Sequence, residues 1–398
     1  MITQSSFLAM KSTSLTTLLT VAALSPLLAT NGYFDHGYGI KSKGMAGAGI
    51  ALAQDTLAPA TNPAGLVQIA DSADIGISVF RPDRGASLDG NYFDANGDST
   101  FLIPNFGFKT TLAPGIAFGL PIFGNGGMNT SYAADIYGSS PLTMNLEQAF
   151  VAPTLAFALD GGHALGLSLI YARQTFEATG LENFGIANAG EDTAHGFGAR
   201  IGFTAKLSER LSVGATYQSE IRNEPFHKYS GLFAERGDFD VPATYGIGAA
   251  YDFNQGTTLA FDVTRILYSG VQSVGNPNNF NGTNLGQPNG PGFVWEDTTT
   301  YKLGVSHKIS EQLTVRAGYN HNTQPIPASQ TSLNVIAPGV VQDHVTLGLT
   351  WKLASGVEIS AFYAKALEEE VQGDGSPTGA ANLRMDQDSI GIGVAWPL

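Results

Sequence analysis

The chain has 398 residues, a formal net charge of −14 and no cysteine. This acidic excess does not suit nucleic acid, whose phosphates need a basic face, and the lack of cysteine excludes thiol nucleophiles, disulfides and cysteine-ligated metals. Charged residues make up 14% of the chain, well below the soluble norm of roughly 25%, yet the mean hydropathy of +0.02 is too polar for a bundle of membrane helices. A membrane β-barrel fits both values, because one face of each strand meets lipid and the other a polar lumen.

The first thirty residues have the three-part pattern of a secretory signal. Lys11 precedes an apolar run from Leu15 to Leu28, and small residues follow at Ala29 and Thr30. The run is shorter than the roughly 20 residues that a membrane-spanning helix needs. We therefore predict a signal peptide over residues 1–30; the alternative is a buried helix of a soluble protein.

Residues 31–72 form a glycine-rich segment without a strand pattern. The segment contains Gly44-Met-Ala-Gly-Ala-Gly49 and Asn62-Pro63-Ala64, together with apolar residues such as Leu66. Because the lumen of a large barrel has room for about forty residues, we predict that this segment is a plug inside it. The alternative is a disordered periplasmic tail, against which the apolar residues argue.

Residues 73–398 repeatedly alternate apolar and small or polar residues, which is typical of a strand with two different faces. One example runs from Val345 to Leu353, where every second residue is apolar. About fourteen such segments are present, including 114–122 as the third and 146–159 as the fourth. The connections are short at one end and long at the other, as in outer-membrane barrels.

Aromatic residues recur near the ends of these segments on the apolar side of the alternation. They predict the aromatic girdle of a membrane barrel, formed by Tyr217, Tyr245, Tyr251, Tyr268, Tyr301, Tyr319, Trp351 and Trp396. The chain ends in Trp396-Pro397-Leu398 rather than in phenylalanine, so we expect Trp396 to serve as the aromatic signal for barrel insertion.

With these features the sequence resembles the FadL family of outer-membrane fatty-acid transporters and their aromatic-hydrocarbon relatives. The resemblance rests on Gly44–Gly49, Ala53-Gln-Asp55, Asn62-Pro63-Ala64, Arg316-Ala-Gly-Tyr319 and Gln324-Pro-Ile-Pro327, and with the strand count it spans the whole mature chain. It implies a hatch that occludes the lumen, a hydrophobic capture site on the extracellular side and sideways release through a gap in a kinked third strand.

The resemblance assigns gating to the hatch motif Asn62, Pro63 and Ala64 and to Gly119 and Pro121 in the third strand. Proline removes a ladder donor and occurs at edges and bulges of sheets, so a break in pairing at Pro121 also follows from the residue itself. The alternative is a rim proline without a gating role.

Two predicted extracellular loops, 125–145 and 178–190, carry more apolar residues than loops exposed to water should. We predict that they form a groove for hydrophobic ligands, against the alternative of two short helices that pack on each other. The predicted ligand-binding set is Phe123, Met128, Tyr132, Ile136, Tyr137, Leu142, Met144, Leu181, Phe184 and Ile186.

Strand alternation also predicts which charges face inward. If Phe197, Ile201 and Phe203 meet lipid, Arg200 faces the lumen, while Arg173 falls on the outer side. The same argument places Lys302, Arg316, Lys352 and Glu220 inside. Lys302 and Arg316 lie at mid-strand and are candidates to bind a carboxylate head group; the alternative for each is a structural salt bridge with Glu220, Asp252 or Asp262.

The sequence therefore predicts an all-β protein, an antiparallel transmembrane barrel of about fourteen strands with an N-terminal plug (residues 31–72) followed by the barrel (residues 73–398). We expect a monomer in the Gram-negative outer membrane that contacts its lipid and lipopolysaccharide and passively imports fatty acids or other hydrophobic molecules. We predict no catalytic site, metal or cofactor. The alternatives are a structural or adhesive surface receptor and an outer-membrane hydrolase.

Overall fold

Antiparallel strands make up most of the computed structural model, which describes residues 31–254, 256–278 and 285–398. The predicted signal peptide, residues 1–30, lies outside the described residues. The strands are β1 (Ser72–Leu88), β2 (Asn91–Asp94), β3 (Phe101–Ala113), β4 (Ile116–Gly119), β5 (Ile122–Ser131), β6 (Thr143–Val151), β7 (Thr154–Leu159), β8 (His163–Thr179), β9 (Asp192–Lys206), β10 (Leu211–Gln218), β11 (Arg222–Asn223), β12 (Thr244–Asn254), β13 (Thr257–Ile266), β14 (Thr298–Lys308), β15 (Leu313–Asn322), β16 (Asp343–Lys352), β17 (Glu358–Val371) and β18 (Asn382–Pro397).

Each spanning strand pairs with the spanning strands before and after it in sequence, and the last pairs with the first. β1 and β18 are in register from Ser72 opposite Pro397 to Ser87 opposite Asn382, so the sheet closes into a barrel. Three spanning strands are each split into two segments (β4 with β5, β6 with β7, β10 with β11), and β2 is a short hairpin arm. The prediction of a fourteen-stranded antiparallel barrel is confirmed.

The two faces of the strands differ as the alternation predicts. Apolar side chains such as Leu167, Ile247 and Leu347 are exposed on the outer surface, where the membrane replaces water. Arg173 has the outer parity and is half-buried. Tyr268 corrects the predicted girdle: β13 ends at Ile266, and Tyr268 turns inward beyond it and is fully buried.

The helical elements are short and lie in the plug and the connections. No helix in the described ranges is long and apolar enough to span a membrane. The α-helical turns are Ile40–Lys43, Ala234–Gly237, Gln272–Gly275 and Thr331–Asn334, and the 3-10 turns are Ala58–Ala60, Pro63–Gln68, Asp160–Gly162, Glu182–Phe184, His227–Tyr229, Tyr268–Gly270 and Ala328–Gln330.

About half of the predicted loop 125–145 is strand. Residues Gly126–Ser131 pair with β6, with a bulge at Asn125, so the loop itself covers only residues 132–142. Glycine and asparagine are local turn signals, but here a complete ladder to β6 outweighs them. The third spanning strand therefore extends about nine residues further than its predicted end at position 122.

No residue from 31 to 66 is exposed, and this segment packs against inward-facing residues of the barrel. Inward-facing glycines on many strands let the backbone of this plug approach closely, because an added Cβ would overlap plug atoms. We call these residues the glycine belt: Gly76, Gly107, Gly119, Gly166, Gly202, Gly214, Gly246, Gly304, Gly318, Gly348 and Gly393.

Candidate functional site

The predicted hatch motif fixes the plug to the barrel wall. Asn62 is the N-cap of the 3-10 turn Pro63–Gln68, and its side chain accepts a hydrogen bond from the Ala64 amide at 3.1 Å. Its Nδ2 donates to the carbonyl of Ile50 at 2.7 Å and to that of Phe203 on β9 at 3.1 Å. One buried amide thus satisfies a turn, a second plug segment and a barrel strand.

The glycine belt explains why this motif fits. A Cβ at Gly202 would overlap the Asn62 side chain and lie 2.7 Å from Cδ of Pro63, and one at Gly166 would overlap the backbone between Pro63 and Ala64. Because carbon atoms at rest are about 3.5–4.0 Å apart, a side chain at either position would displace the motif.

Charged side chains of the barrel hold the rest of the plug. Asp262 on β13 accepts hydrogen bonds from the amides of Gly49 at 2.7 Å and Ile50 at 3.0 Å. Arg200 on β9 donates to the carbonyls of Pro59 and Ala60. These groups are buried, where charge-assisted hydrogen bonds are strong.

Both predicted head-group cations contact the plug. Nζ of Lys302 donates to the carbonyl of His36 at 2.9 Å. Nε of Arg316 donates to Oε1 of Gln54 at 2.7 Å, and its Nη1 donates to Thr350 at 2.7 Å. Neither residue forms an ion pair in the described ranges. Arg316 also lines a cavity of 590 Å³ at the periplasmic end of the lumen. Their role toward a ligand stays a prediction.

Two acidic groups in the plug have raised pKa values. Burial raises the pKa of Asp35, although its carboxylate lies 2.7 Å from Nζ of Lys43. Burial, with repulsion from Asp74, raises the pKa of Asp55 to about 7. The plug therefore contains a carboxyl group whose charge changes near neutral pH.

The third spanning strand breaks at the predicted gating residues. β4 ends at Gly119, β5 begins at Ile122, and Pro121 lies between them. Beyond the break, β5 pairs with β3 at only two positions, Asn105 opposite Phe123 and Phe106 opposite Ile122. From there to the extracellular end, β3 and β5 are not paired, which leaves a gap in the ladder that we call the lateral gap.

The start of the plug covers the free edge of β5. The Gly127 amide donates to the carbonyl of Tyr33, and the Asp35 amide donates to that of Asn125, both at 2.9 Å. A Cβ at Gly126 would overlap the Tyr33 carbonyl. Residues 33–35 thus take the place that β3 has vacated, in the manner of an added strand.

An apolar cluster fills the extracellular half of the lumen beside this gap. All ten predicted ligand-binding residues belong to it: seven are buried, and Ile136, Tyr137 and Phe184 are partly buried at its border. The hydroxyl of Tyr132 donates to the carbonyl of Val335 at 2.8 Å, and that of Tyr137 donates to the carbonyl of Ser332 at 3.1 Å, so the loop before β16 closes over them. The predicted loops contribute only one helical turn, Glu182–Phe184, among the described residues.

The same cluster contains aromatic residues that the sequence analysis did not assign to the ligand site. They come from the plug and from the long connections before β12 and β14: Tyr33, Phe34, Phe226, Tyr229, Phe233, Phe239, Tyr268, Phe293 and Trp295. Their density in long connections was the signal that could have found them, since such apolar surface needs covering. The described part of the chain contains no group of three or more histidine, cysteine, aspartate or glutamate side chains that could bind a metal ion.

Comparison with known proteins places these features in a family. The family model "Outer membrane protein transport protein (OMPP1/FadL/TodX)" matches residues 22–395. No curated protein is a significant match by sequence.

Solved structures share the fold at low identity. A Pseudomonas aeruginosa FadL homologue has a TM-score of 0.71 at 17% identity, covering 92% of this chain and 99% of its own. The P. putida toluene transporter TodX has a TM-score of 0.67 at 18% identity, covering 90% of this chain and 98% of its own. The Ralstonia pickettii toluene transporter TbuX has a TM-score of 0.65 at 16% identity, covering 90% of this chain and 98% of its own. The chain belongs to the OMPP1/FadL/TodX family of transport proteins, barrels that carry hydrophobic compounds across the Gram-negative outer membrane.

Proposed function

We propose that this chain is a passive channel that collects long-chain fatty acids or hydrocarbons in its extracellular apolar cluster and releases them sideways through the lateral gap. The observation that carries the proposal is the loss of pairing between β3 and β5 directly beside the apolar cluster. Such a pathway keeps a hydrophobic molecule out of water from capture to release. Its driving force is partition down a concentration gradient.

The apolar cluster supports the capture step. Its apolar side chains come from most of the extracellular connections. Loops that carry so many aromatic rings must cover this apolar surface, either by folding on one another or by binding a ligand. A hydrophobic molecule that inserts among them replaces one set of apolar contacts with another, so little free energy is lost on entry.

The plug supports the direction of release. Below the apolar cluster, Asp262, Arg200 and Lys302 bind backbone groups of the plug. An apolar ligand that moved further toward the periplasm would have to break these charge-assisted bonds. The lateral gap lies above that level and is covered by residues 33–35 through two backbone hydrogen bonds to β5. Such neutral bonds are weaker than charge-assisted ones, so the gap is the less costly exit.

Uptake by cells that lack their own transporter tests the proposal. Radiolabelled oleate and toluene are supplied with and without this chain, and a disulfide is used to close the lateral gap. A Cβ at Gly124 would lie 3.5 Å from Cγ2 of Ile103, so Ile103→Cys with Gly124→Cys can bridge β3 and β5. The native chain has no cysteine to interfere.

We expect uptake of at least one substrate by wild type, loss of that uptake when the double variant is oxidised, and recovery on reduction. The Ile103→Cys single variant is the control and should not respond to oxidant. Uptake that persists in the bridged protein would contradict sideways release. No uptake by a correctly inserted wild type would contradict transport and favour a surface receptor.

A further inference from the structure

Arg84 is a fully buried cation at the extracellular end of β1. Its Nε donates to the carbonyl of Asn129 at 2.6 Å, and one Nη donates to the carbonyl of Asp98 at 2.8 Å. The other Nη donates to the carbonyl of Pro82 at 3.2 Å and to Oδ1 of Asn96 at 3.3 Å. The side-chain amide of Asn129 accepts a further bond. Every one of these acceptors is a neutral oxygen.

No ion pair in the described part of the chain includes Arg84. The neighbouring carboxylate of Asp83 is occupied by Arg384 and by the side-chain amide of Asn96. A buried guanidinium held only by carbonyl groups keeps its full charge, which makes it a strong site for a carboxylate.

Arg84 bridges the lateral gap. β3 begins at Phe101, opposite Phe80 of β1, so at the level of Arg84 the connection before β3 lies between β1 and β5. The Ala95 amide donates to the Arg84 carbonyl, and Ser131 of β5 exchanges backbone hydrogen bonds with Ala95 and Gly97. The guanidinium spans this distance and ties Asn129 of β5 to β1 and to the connection before β3. It also lies 5.9 Å from the centre of the Phe101 ring.

Two cavities meet at this bridge. A cavity of 20 Å³ is lined by Arg84, apolar lumen residues such as Met128 and Met385, and the loop 337–339. A polar cavity of 640 Å³ has an acidic lining that includes Asp98, Glu147 and Glu177. Phe101 and Asn129 line both. The smaller cavity holds roughly one water molecule, so the passage between them is shut while Arg84 is in place.

We propose that Arg84 is a latch on the lateral gap that is released by the carboxylate of a long-chain acid. The carboxylate replaces the carbonyl oxygens of Asn129 and Asp98 on the guanidinium, because a charged acceptor binds roughly twice as strongly as a neutral one. β5 then loses its side-chain tie to β1 and is held at this level by the backbone hydrogen bonds of Ser131 with Ala95 and Gly97, and Phe101 is free to turn aside. A neutral hydrocarbon or ester has no group that makes this exchange.

The inference rests on the proposed transport function and adds to it the substrate class, an amphiphilic monocarboxylate. The test compares uptake of radiolabelled oleate with that of methyl oleate, which has the same chain and no charge. Wild type should favour oleate. Arg84→Gln, which lacks the cation, should lower the oleate-to-ester ratio roughly tenfold, since a hydrogen bond to a charged group is worth about one such factor or more.

Arg81→Gln is the matched control, because Arg81 is an exposed cation of the same strand and its loss should leave the ratio unchanged. Asn129→Asp is the second variant. It gives Arg84 a permanent carboxylate, so oleate has to compete with it and oleate uptake should fall while ester uptake stays the same. Barrel insertion of each variant is checked by the heat-dependent shift of the folded protein in electrophoresis.

An equal fall of oleate and ester uptake in Arg84→Gln would show a merely structural role and overturn the latch. A wild-type ratio near one, with uptake intact, would also overturn it and leave transport standing. Absence of uptake of both compounds by inserted wild-type protein would instead defeat the transport function itself. If Arg84→Gln does not insert, the Asn129→Asp result decides in the same way.

Discussion

At the scale of single residues, glycine decides where the plug can touch the barrel. Gly202 faces Asn62 so closely that an added Cβ would overlap its side chain and lie 2.7 Å from Pro63. We expect Gly202→Ala to cost about 1–3 kcal/mol of plug binding, as overpacking does elsewhere. The partly released plug should let a large hydrophilic antibiotic enter, which lowers its inhibitory concentration.

The control for this substitution is Gly270→Ala, because a Cβ at Gly270 meets no heavy atom within 4 Å. It should leave antibiotic sensitivity at the wild-type value. If Gly202→Ala also behaves as wild type, the close approach of Asn62 to β9 does not limit plug binding.

Asp55 gives the plug a pH dependence whose sign follows from its pKa. The pKa is raised to about 7 by burial and by Asp74, whereas a solvated aspartate has a pKa near 3.9. The seated plug therefore holds a proton that the released plug loses, so binding is strongest below pH ~4 and weakens as the pH rises through about 7.

We expect plug opening, seen as current steps across a planar bilayer, to become more frequent from pH 5 to pH 8. Asp55→Asn mimics the protonated group and should flatten this dependence at the low-pH level. Opening that becomes rarer as the pH rises would show that another group, such as buried His36, controls the plug.

At the scale of elements, Pro121 causes the break in the third spanning strand. Proline fixes φ near −65° and lacks an N–H, so β4 and β5 do not continue as one strand. Pro121→Thr restores the donor and a residue that favours strands. We expect a narrower lateral gap and slower uptake of the transported compound, by several-fold in the cell assay.

Pro153→Thr is the matched control. Pro153 separates β6 from β7 in the next spanning strand, but both segments are fully paired with β8, so no gap depends on it. Uptake should stay at the wild-type rate. A larger loss in Pro153→Thr than in Pro121→Thr would contradict the assignment of the exit to the third strand.

The strands also show how much of the fold could be predicted from the sequence. Alternation is a local property, and it predicted the fourteen spanning strands and the inward side of Arg200. It did not predict that residues 126–131 are strand, because their glycines suggested a turn until the β6 ladder was seen. Nor could it predict the pairing of residues 33–35 with β5, since strand partners distant in sequence leave no local pattern.

At the scale of the whole molecule, composition and function are connected through the plug. The 49 glycines suggested a lumen without bulky side chains, but not that many of them would form one belt against residues 40–66. Buried charges such as Asp262 were predicted as salt-bridge partners and instead bind plug amides. A sequence places a charge on the inner face, but its partner depends on how the plug is folded.

The contacts that close the barrel do not include the plug, so the plug can be removed by deletion while the closing contacts are kept. β1 and β18 pair along sixteen positions from Ser72 to Ser87, and Asp71, which binds Lys109 and the Leu398 amide, precedes β1. Deletion of residues 32–70 keeps all of these contacts. We therefore expect the deleted protein to insert and to show the heat-dependent electrophoretic shift of a closed barrel.

The same deletion should turn the channel into an open pore with a large, steady conductance in planar bilayers. Arg200, Asp262 and Lys302 lose their plug partners, yet the lumen fills with water, so their charges become solvated rather than buried without a partner. The glycine belt would then line a wide passage, and uptake should no longer favour hydrophobic compounds over hydrophilic ones. If the deleted chain fails to insert while Gly202→Ala inserts normally, the plug is part of the folding core. The charged side chains of the inner wall would then need the plug as their partner for the barrel to fold.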